Sequence, residues 1–292
     1  MARSPSDGVP RTVLITGGNG LIGRALKAFL PADHWHVSAL GRRELDVTQR
    51  FDVSGRFDHV VHAAGLSGAL ESWGRAPDFL AVNVAGTVNA LEYCRERGCS
   101  MTYLSTYVYG NAPTVPVSEM LAPAPNTPYS LTKYLGEQCC EFYARSFGLS
   151  VTVLRLFNVY GPRQSESFLI PFVIGQALDA HRDWIEVQDL SPRRDYVFVS
   201  DVVSAVACTA SRPGFNVYNV GSGVSHSVSE VIDIVLRLVG VPKRIQCRGT
   251  PRINEVADVR ADISALQRDF GWRPAVSLDV GLAHTIDAMR KL

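Results

Sequence analysis

The sequence predicts an α/β fold in which a doubly wound parallel sheet carries a smaller C-terminal lobe. Short apolar runs alternate with longer runs of helical periodicity through the first half of the chain. This alternation is typical of parallel strands that are connected by crossover helices. After about residue 162 the alternation loosens, and proline, glycine and arginine become more frequent. A chain of 292 residues is long enough to bury a substantial core as one compact unit.

The predicted elements of the main sheet follow one another at short intervals. The strands are residues 13–15, 37–40, 59–63, 101–104 and 151–156. The helices are residues 24–30, 82–97, 129–147 and 229–239. We further expect the chain to return from the second lobe to the main sheet over about 196–221, through residues 196–206 and 217–221.

A glycine-rich loop links the first predicted strand to the first predicted helix. Gly17, Gly20 and Gly23 permit a tight turn, close approach of a pyrophosphate and close packing of the helix on the strand. The N–H groups at the start of the helix then face the phosphates. In this position the pattern favours a dinucleotide site over an ordinary glycine turn. We therefore expect a dinucleotide-binding domain over residues 11–163 and mainly a substrate-binding lobe over residues 164–292.

The end of the second predicted strand bears on which dinucleotide binds. Gly41 stands where an acidic side chain would bind the ribose hydroxyls of NAD, and Arg42 and Arg43 follow it. Guanidinium groups suit the 2′-phosphate of NADP, and the missing carboxylate removes a repulsion. The sequence therefore favours NADP(H). NAD(H) remains the alternative, because the arginines can also be solvated loop charges and Glu44 can supply an NAD-type contact.

Tyr129 and Lys133 form the most informative pair, four residues apart and directly after Pro128. On a helix both side chains project from one face, a single turn apart. An ammonium beside a phenol favours the phenolate and lowers a pKa that is ordinarily about 10. Such a group can donate or accept a proton, as carbonyl reduction and alcohol oxidation require. The same spacing is also common on solvated helix faces, so the pair needs support from other motifs.

Further motifs follow in a fixed order. They are the glycine loop, the Tyr129 and Lys133 pair, and residues 103–110, 155–163, 194–199, 218–223, 261–264 and 270–274. Residues 103–110 are similar to an SSxxVYG segment, and residues 155–163 to an RxxNxYGP segment. Together the motifs resemble those of the extended short-chain dehydrogenase/reductases, the group of NAD(P)-dependent nucleotide-sugar epimerases, dehydratases and 4-ketoreductases. The resemblance runs from about residue 11 to the C-terminus.

The resemblance implies a Rossmann-type sheet and a Ser-Tyr-Lys mechanism. Tyr129 would be the acid/base, while Lys133 would lower its pKa and hold the nicotinamide ribose. Ser105 would hydrogen-bond the reacting oxygen and orient it. Thr106 is a neighbouring hydroxyl able to share this role, but the register against the family places Ser105 first. The cofactor would supply the hydride chemistry.

The resemblance also implies two sets of binding residues. The cofactor set is Gly17, Asn19, Gly20, Leu21, Ile22, Gly23, Arg42, Arg43, Asp46, Val47, Ala63, Ala64, Gly65, Tyr129 and Lys133. The substrate set, for a nucleotide-diphosphate sugar, is Ser67, Ser105, Asn158, Arg194 and Arg252. Two guanidinium groups that face a pyrophosphate bind it strongly through charge-assisted hydrogen bonds. The alternative is that these arginines are surface residues paired with Asp195 or Glu255.

The same catalytic residues would serve two reactions. Reduction of a 4-keto (deoxy)sugar nucleotide by NADPH is favoured by residues 41–43 and by the short step from the second strand into Glu44. A nucleotide-sugar 4-epimerase with tightly bound NAD is the alternative, because residues 158–162 are epimerase-like. The sequence therefore predicts an oxidoreductase of this family, with the reductase preferred.

Two other functions agree less well with the residues. Family dehydratases and decarboxylases carry acidic residues at the positions of Thr106 and Tyr107, or at the second alone. Both side chains are uncharged here, so dehydration lacks its expected acid/base group. A non-catalytic dinucleotide-sensing protein would be expected to lose Tyr129 or Lys133, and both are present.

Composition limits location and partners. A net charge of +1 gives no basic field that would attract nucleic acid or a membrane surface. No apolar segment is long enough to span a bilayer, and the first ten residues lack the apolar core of a secretion signal. The six cysteines have no metal-like spacing, so we expect a cytoplasmic protein without a metal site. The resemblance further implies a homodimer that pairs through the helices at 82–97 and 129–147, with Leu131, Leu135 and Phe142 at the interface or in the core.

Overall fold

The computed structural model describes residues 10–249 and 255–291. Its strands are β1 (Arg11–Thr16), β2 (Trp35–Leu40), β3 (His59–His62), β4 (Ser100–Thr106), β5 (Val151–Leu156), β6 (Asn158–Tyr160), β7 (Trp184–Val187), β8 (Arg193–Phe198), β9 (Phe215–Val220), β10 (Ser225–Ser227), β11 (Arg244–Cys247) and β12 (Asp258–Val259). Its helices are α1 (Leu21–Phe29), α2 (Ala69–Gly74), α3 (Ala76–Leu80), α4 (Gly86–Arg97), α5 (Pro128–Phe147), α6 (Leu169–Leu178), α7 (Val199–Thr209), α8 (Val228–Val239), α9 (Ser264–Phe270) and α10 (Leu278–Met289).

Six parallel strands form the main sheet, in the order β2-β1-β3-β4-β5-β9. Residues of α1 and α7 pack on one face, and residues of α4 and α5 pack on the other. Because both faces are covered, the central strands are largely buried, and every residue of β5 is buried. The predicted doubly wound sheet is confirmed. The winding direction reverses between β1 and β3, and ligands bind at such a switch point, beside the carboxyl ends of the strands.

The predicted strands and helices of the main sheet exist, with ends shifted by a few residues. One element differs in kind. The helix predicted over 82–97 starts as a π-helical turn, Ala81–Ala85, and only then continues as α4. Single π-turns occur often at functional sites. This turn carries the buried Asn83, which is described with the site below.

The second lobe contains a separate small sheet, which corrects part of the sequence prediction. We expected residues 196–206 and 217–221 to return to the main sheet, but only β9 joins it. Strand β8 instead pairs with β6, β10 and β12, and these three neighbours occupy its hydrogen-bonding edges. Strand β6 begins two residues after β5 ends. Strand β8 pairs with β6 and not with a strand of the main sheet. Helix α7, which follows β8, does return and packs with α1.

Candidate active site

The glycine loop lies against the ends of two strands. Gly17 has a φ of +71°, and a Cβ there would lie only 2.7 Å from the backbone nitrogen of Ala64, directly after β3. A Cβ at Gly23 would overlap the carbonyl oxygen of Gly17. Helix α1 then begins after Gly20 without any side-chain cap, so its first N–H groups are available to a ligand. Leu21 and Ile22 open the helix and are half-buried. The loop therefore suits the pyrophosphate of a dinucleotide.

The end of β2 brings a carboxylate and two arginines to the same edge. Arg42 and Arg43 are exposed, whereas Gly41 is buried against the side chain of Asn19. A carboxylate oxygen of Glu44 accepts a hydrogen bond of 2.9 Å from the backbone N–H of Gly41. The cations and this carboxylate both lie where the adenosine ribose of a dinucleotide would bind.

Asp46 and Val47 follow this edge in the chain, and Val47 contacts α4. Asp46 accepts hydrogen bonds from the N–H and hydroxyl of Thr48, at 3.0 and 2.8 Å, and these bonds lower the pKa of its carboxyl. The carbonyl of Val47 accepts a hydrogen bond of 2.8 Å from Asn89. Val47 also packs against Gly86, where a Cβ would meet it at 2.8 Å. These contacts fix the loop beside the glycine-rich turn.

Asn83, which the sequence suggests as a bridge to the lysine region or as a helix-start polar residue, holds the loop that follows β3. Its side chain is 1% exposed, accepts a hydrogen bond of 2.8 Å from the N–H of Leu66, and donates one of 3.1 Å to the carbonyl of the same residue. Its amide also donates to the hydroxyl of Thr132 on α5, at 3.1 Å. Asn83 thus ties the loop carrying Ala63, Ala64, Gly65 and Ser67 to the helix carrying Lys133. The π-helical turn, which periodicity does not reveal, gives Asn83 this position.

Helix α5 places Tyr129 in its first turn. Thr127 and Ser130 form a capping box, and Pro128 occupies a position where its missing N–H costs nothing. The ring of Tyr129 is half-buried and packs edge-on against Phe79 at 6.2 Å. Burial raises the pKa of Tyr129 to about 12, and a side-chain hydrogen bond with Thr106 opposes this rise. The expectation that Lys133 lowers this pKa is therefore not met in this arrangement.

Lys133 points at a different aromatic ring, which explains the missing effect. Its side chain is 5% exposed, and its Nζ lies 4.2 Å from the centroid of Tyr103. Tyr103 in turn stacks on His62, with centroids 6.0 Å apart. Burial lowers the pKa of Lys133 to about 8, so the amine is still mostly protonated at neutral pH. The ammonium is held by the ring of Tyr103 through a cation–π interaction.

Ser105 and Thr106 interact with different side chains of α5, and the catalytic role of Ser105 stays a prediction. Ser105 is 4% exposed, and its hydroxyl donates a hydrogen bond of 2.5 Å to Glu137 in the interior. Thr106 is the hydroxyl that interacts with Tyr129. Tyr103 and Ser105 both contact α5, through the carbonyl of Lys133 and the carboxylate of Glu137.

The predicted substrate residues are engaged with the protein itself. Arg194 donates to the carbonyls of Arg193 and Val256, at 2.7 and 2.6 Å, and forms an ion pair with Glu255. This is the alternative that the sequence left open. The side-chain amide of Asn158 donates to the carbonyl of Asp195 at 3.3 Å. Ser67 is exposed on the loop after β3, and Arg252 lies outside the described residues.

Two further properties concern metals and membranes. Within residues 10–249 and 255–291, no group of three or more His, Cys, Asp or Glu side chains is arranged to hold a metal ion. No described helix is both long and apolar enough to cross a membrane. All six cysteines are free thiols.

Comparison with known proteins identifies the family. The model of the NAD dependent epimerase/dehydratase family matches residues 13–221. The chain belongs to this family. The match confirms the resemblance seen in the sequence and shows an enzyme of the extended short-chain dehydrogenase/reductase group. Membership of this family accounts for the glycine loop and the end of β2, which together suit a dinucleotide.

The individual relatives include reductases, epimerases and dehydratases. The GDP-6-deoxy-D-mannose reductase of Pseudomonas aeruginosa is 31% identical over 289 residues, covering 92% of this chain and 94% of the relative. The UDP-glucose 4-epimerase of Mycolicibacterium smegmatis is 31% identical over 308 residues, covering 95% and 98%. Among solved structures, RMD from Pseudomonas aeruginosa complexed with NADPH has a TM-score of 0.89 at 29% identity, covering 96% of this chain and 99% of that one. The UDP-glucose 4-epimerase of Thermotoga maritima with UDP-glucose has a TM-score of 0.89 at 28% identity, with the same coverage.

Proposed function

We propose that this chain is an NADPH-dependent reductase of a 4-keto (deoxy)sugar nucleotide. The observation that carries the proposal is the end of β2, where Gly41 replaces an acidic residue and two exposed arginines follow. The loop from there to β3 contains no helix, as in the reductase-like sequence pattern. A GDP-6-deoxy-D-mannose reductase and a structure with bound NADPH among the similar proteins support this choice.

The proposal gives each catalytic side chain one role. NADPH, when bound, supplies the hydride to the carbonyl carbon. Thr106 takes the place predicted for Ser105 and donates a hydrogen bond to the carbonyl oxygen. Tyr129 gives that oxygen its phenolic proton. Lys133, protonated at neutral pH, binds the nicotinamide ribose.

A second candidate is a nucleotide-sugar 4-epimerase that retains NAD. The carboxylate of Glu44 favours it, because it is fixed at the end of β2, where an acidic group binds a ribose diol. UDP-glucose 4-epimerases among the similar proteins support the same candidate. Both candidate reactions use Thr106, Tyr129 and Lys133. The two reactions therefore differ in the cofactor that the residues at the end of β2 would bind.

The substrate that we propose is a nucleotide-diphosphate sugar. Arg194 is 13% exposed in its side chain and would bind the diphosphate by exchanging its contact with Glu255 for a phosphate. Asn158 and Ser67 would contact the sugar side of the pocket. Arg252 remains a prediction from the sequence.

We also propose a homodimer. Leu131, Phe142 and Phe147 on α5 are 45%, 58% and 52% exposed, while Leu135 is half-buried. Large apolar side chains exposed along one helix are typical of a surface that a second copy covers. Sedimentation velocity of the purified protein tests this proposal.

One assay separates the two candidate reactions. The purified protein is given a 4-keto sugar nucleotide with NADPH, and separately a 4-hydroxyl sugar nucleotide without added cofactor. A reductase consumes the absorbance of the reduced cofactor in the first mixture and leaves the second unchanged. Interconversion of 4-hydroxyl isomers in the second mixture, with NAD released on denaturation, would show that the protein is an epimerase and not a reductase.

A further inference from the structure

A buried ion pair lies directly behind the catalytic side chains. Glu137 is 2% exposed and Arg155 is 5% exposed. The guanidinium of Arg155 binds both carboxylate oxygens of Glu137, at 2.7 Å through Nη2 and at 3.1 and 3.2 Å through Nε. Such a forked contact fixes the relative orientation of the two groups as well as their distance.

Glu137 stands on the catalytic face of α5. It follows Lys133 by four residues and Tyr129 by eight, so the three side chains lie along one stripe of the helix. Its carboxylate accepts the hydroxyl of Ser105 on β4, and Arg155 reaches it from β5. One carboxylate therefore joins α5 to the two strands beside it. Ser105 precedes Thr106, so this junction fixes the end of β4 that carries the catalytic hydroxyl.

The network continues from Arg155 toward the second lobe. Nη1 of Arg155 donates to the hydroxyl of Tyr109 at 2.9 Å, and that hydroxyl donates to Asn219 at 2.7 Å. The amide of Asn219 donates to the carbonyl of Val117 at 2.9 Å, and its backbone N–H donates to Glu119 at 2.7 Å. Val117 forms a bridge with Ala261, beside the small sheet. A continuous hydrogen-bonded chain thus links the catalytic helix to Val117, which bridges to Ala261 in the second lobe.

Stability alone is a poor reason for this arrangement. Removing two charges from water costs a large free energy, and replacing a buried ion pair with uncharged residues is often neutral or stabilising. Specific orientation is what such a pair provides and what apolar packing does not. The catalytic step depends on this property, because a displacement of about 1 Å can lower a rate by about a hundredfold.

We propose that Glu137 and Arg155 are positioning residues that set Thr106 against Tyr129 and couple this geometry to the second lobe through Tyr109 and Asn219. The proposal rests on the proposed function insofar as Thr106 and Tyr129 are its catalytic groups. Neither Glu137 nor Arg155 contacts the substrate or the cofactor in this account. Their effect is on the orientation of other groups.

The test compares single and paired substitutions. Glu137→Gln leaves the charge of Arg155 buried without its partner, so this variant is expected to lose thermal stability. Glu137→Gln combined with Arg155→Gln removes both charges and is expected to regain most of the lost melting temperature. If the pair positions the catalytic groups, kcat of the double variant stays at least about tenfold below wild type, while the cofactor Kd is unchanged. Recovery of kcat together with melting temperature would overturn the proposal.

Tyr109→Phe is the matched control for the extension to the second lobe. It removes only the hydroxyl between Arg155 and Asn219 and keeps the ring in its buried place, so the variant is expected to fold. We expect a severalfold loss of kcat with little change in melting temperature. A wild-type kcat in Tyr109→Phe would overturn the coupling to the second lobe. This test remains valid if the variant with both Glu137→Gln and Arg155→Gln fails to fold.

A measurement without substrate separates failure of this proposal from failure of the proposed function. Hydrogen exchange by mass spectrometry reports the first turn of α5 in wild type and in the double variant. Faster exchange over residues 128–133, with the rest of α5 unchanged, supports positioning whichever reaction the enzyme catalyses. Equal exchange there, together with full activity, would contradict it. A wild-type protein inactive on both sugar nucleotides would instead contradict the proposed function alone.

Discussion

At the scale of single residues, the catalytic hydroxyl shows what spacing can and cannot establish. The sequence identifies Tyr129 and Lys133 because their separation matches one helical turn. The register against the family motif places Ser105 before Thr106 in the same way. Side-chain direction depends on where a strand ends, which a motif does not record. The interior contact of Ser105 with Glu137 was therefore beyond the sequence.

Substitution of the two hydroxyls separates their roles. Thr106→Val would remove the proposed hydrogen bond to the reacting oxygen, and we expect kcat to fall by about 10²–10³-fold. Ser105→Ala, the matched control, removes a contact behind the site and is expected to lower kcat only severalfold. Steady-state kinetics at saturating cofactor decide between them. The larger loss in Ser105→Ala would restore the original assignment and contradict the geometry described here.

At the scale of elements, the predictable parts are those that local sequence controls. The glycine loop, α1 and the capped start of α5 follow from periodicity, glycine conformation and capping chemistry. The π-helical turn and the small sheet around β8 do not. A π-turn has no distinct sequence period, and β8 pairs with β6, β10 and β12, which come from three distant parts of the chain.

We predict that the end of β2 governs cofactor choice through opposing charges. Arg42→Ala combined with Arg43→Ala removes the cations that favour a 2′-phosphate. We expect kcat/KM with NADPH to fall by about tenfold or more, with little change for NADH. Glu44→Gln is expected to act in the opposite direction and raise the preference for NADPH, because it removes a repulsive carboxylate. An unchanged preference in the double arginine variant would contradict NADPH and favour the arrangement in which Glu44 binds a ribose diol.

At the scale of the whole molecule, the buried histidines of β3 make stability depend on pH. Burial lowers the pKa of His59 and of His62 to about 3, from 6.5. The folded state keeps both rings neutral, while the unfolded chain binds protons once the pH falls below 6.5. Stability is therefore present above that pH and is lost progressively as the pH falls toward 3.

His62→Gln tests this dependence. Between pH 7.5 and 5 each such histidine costs wild type on the order of 2 kcal/mol in the free energy of unfolding. Urea unfolding at the two pH values measures how much the free energy of unfolding falls between pH 7.5 and 5. This fall should be smaller in His62→Gln than in wild type by about that amount. Equal losses in the two proteins would mean that His62 is already protonated in the folded state.

The measurement that tests the account most directly is turnover by Tyr129→Phe together with its affinity for the cofactor. In the proposed mechanism, Tyr129 gives its phenolic proton to the reacting oxygen. This mechanism therefore predicts that kcat falls by about 10²–10⁴-fold, while the cofactor Kd changes little. A variant that binds the cofactor and reacts at the wild-type rate would contradict it.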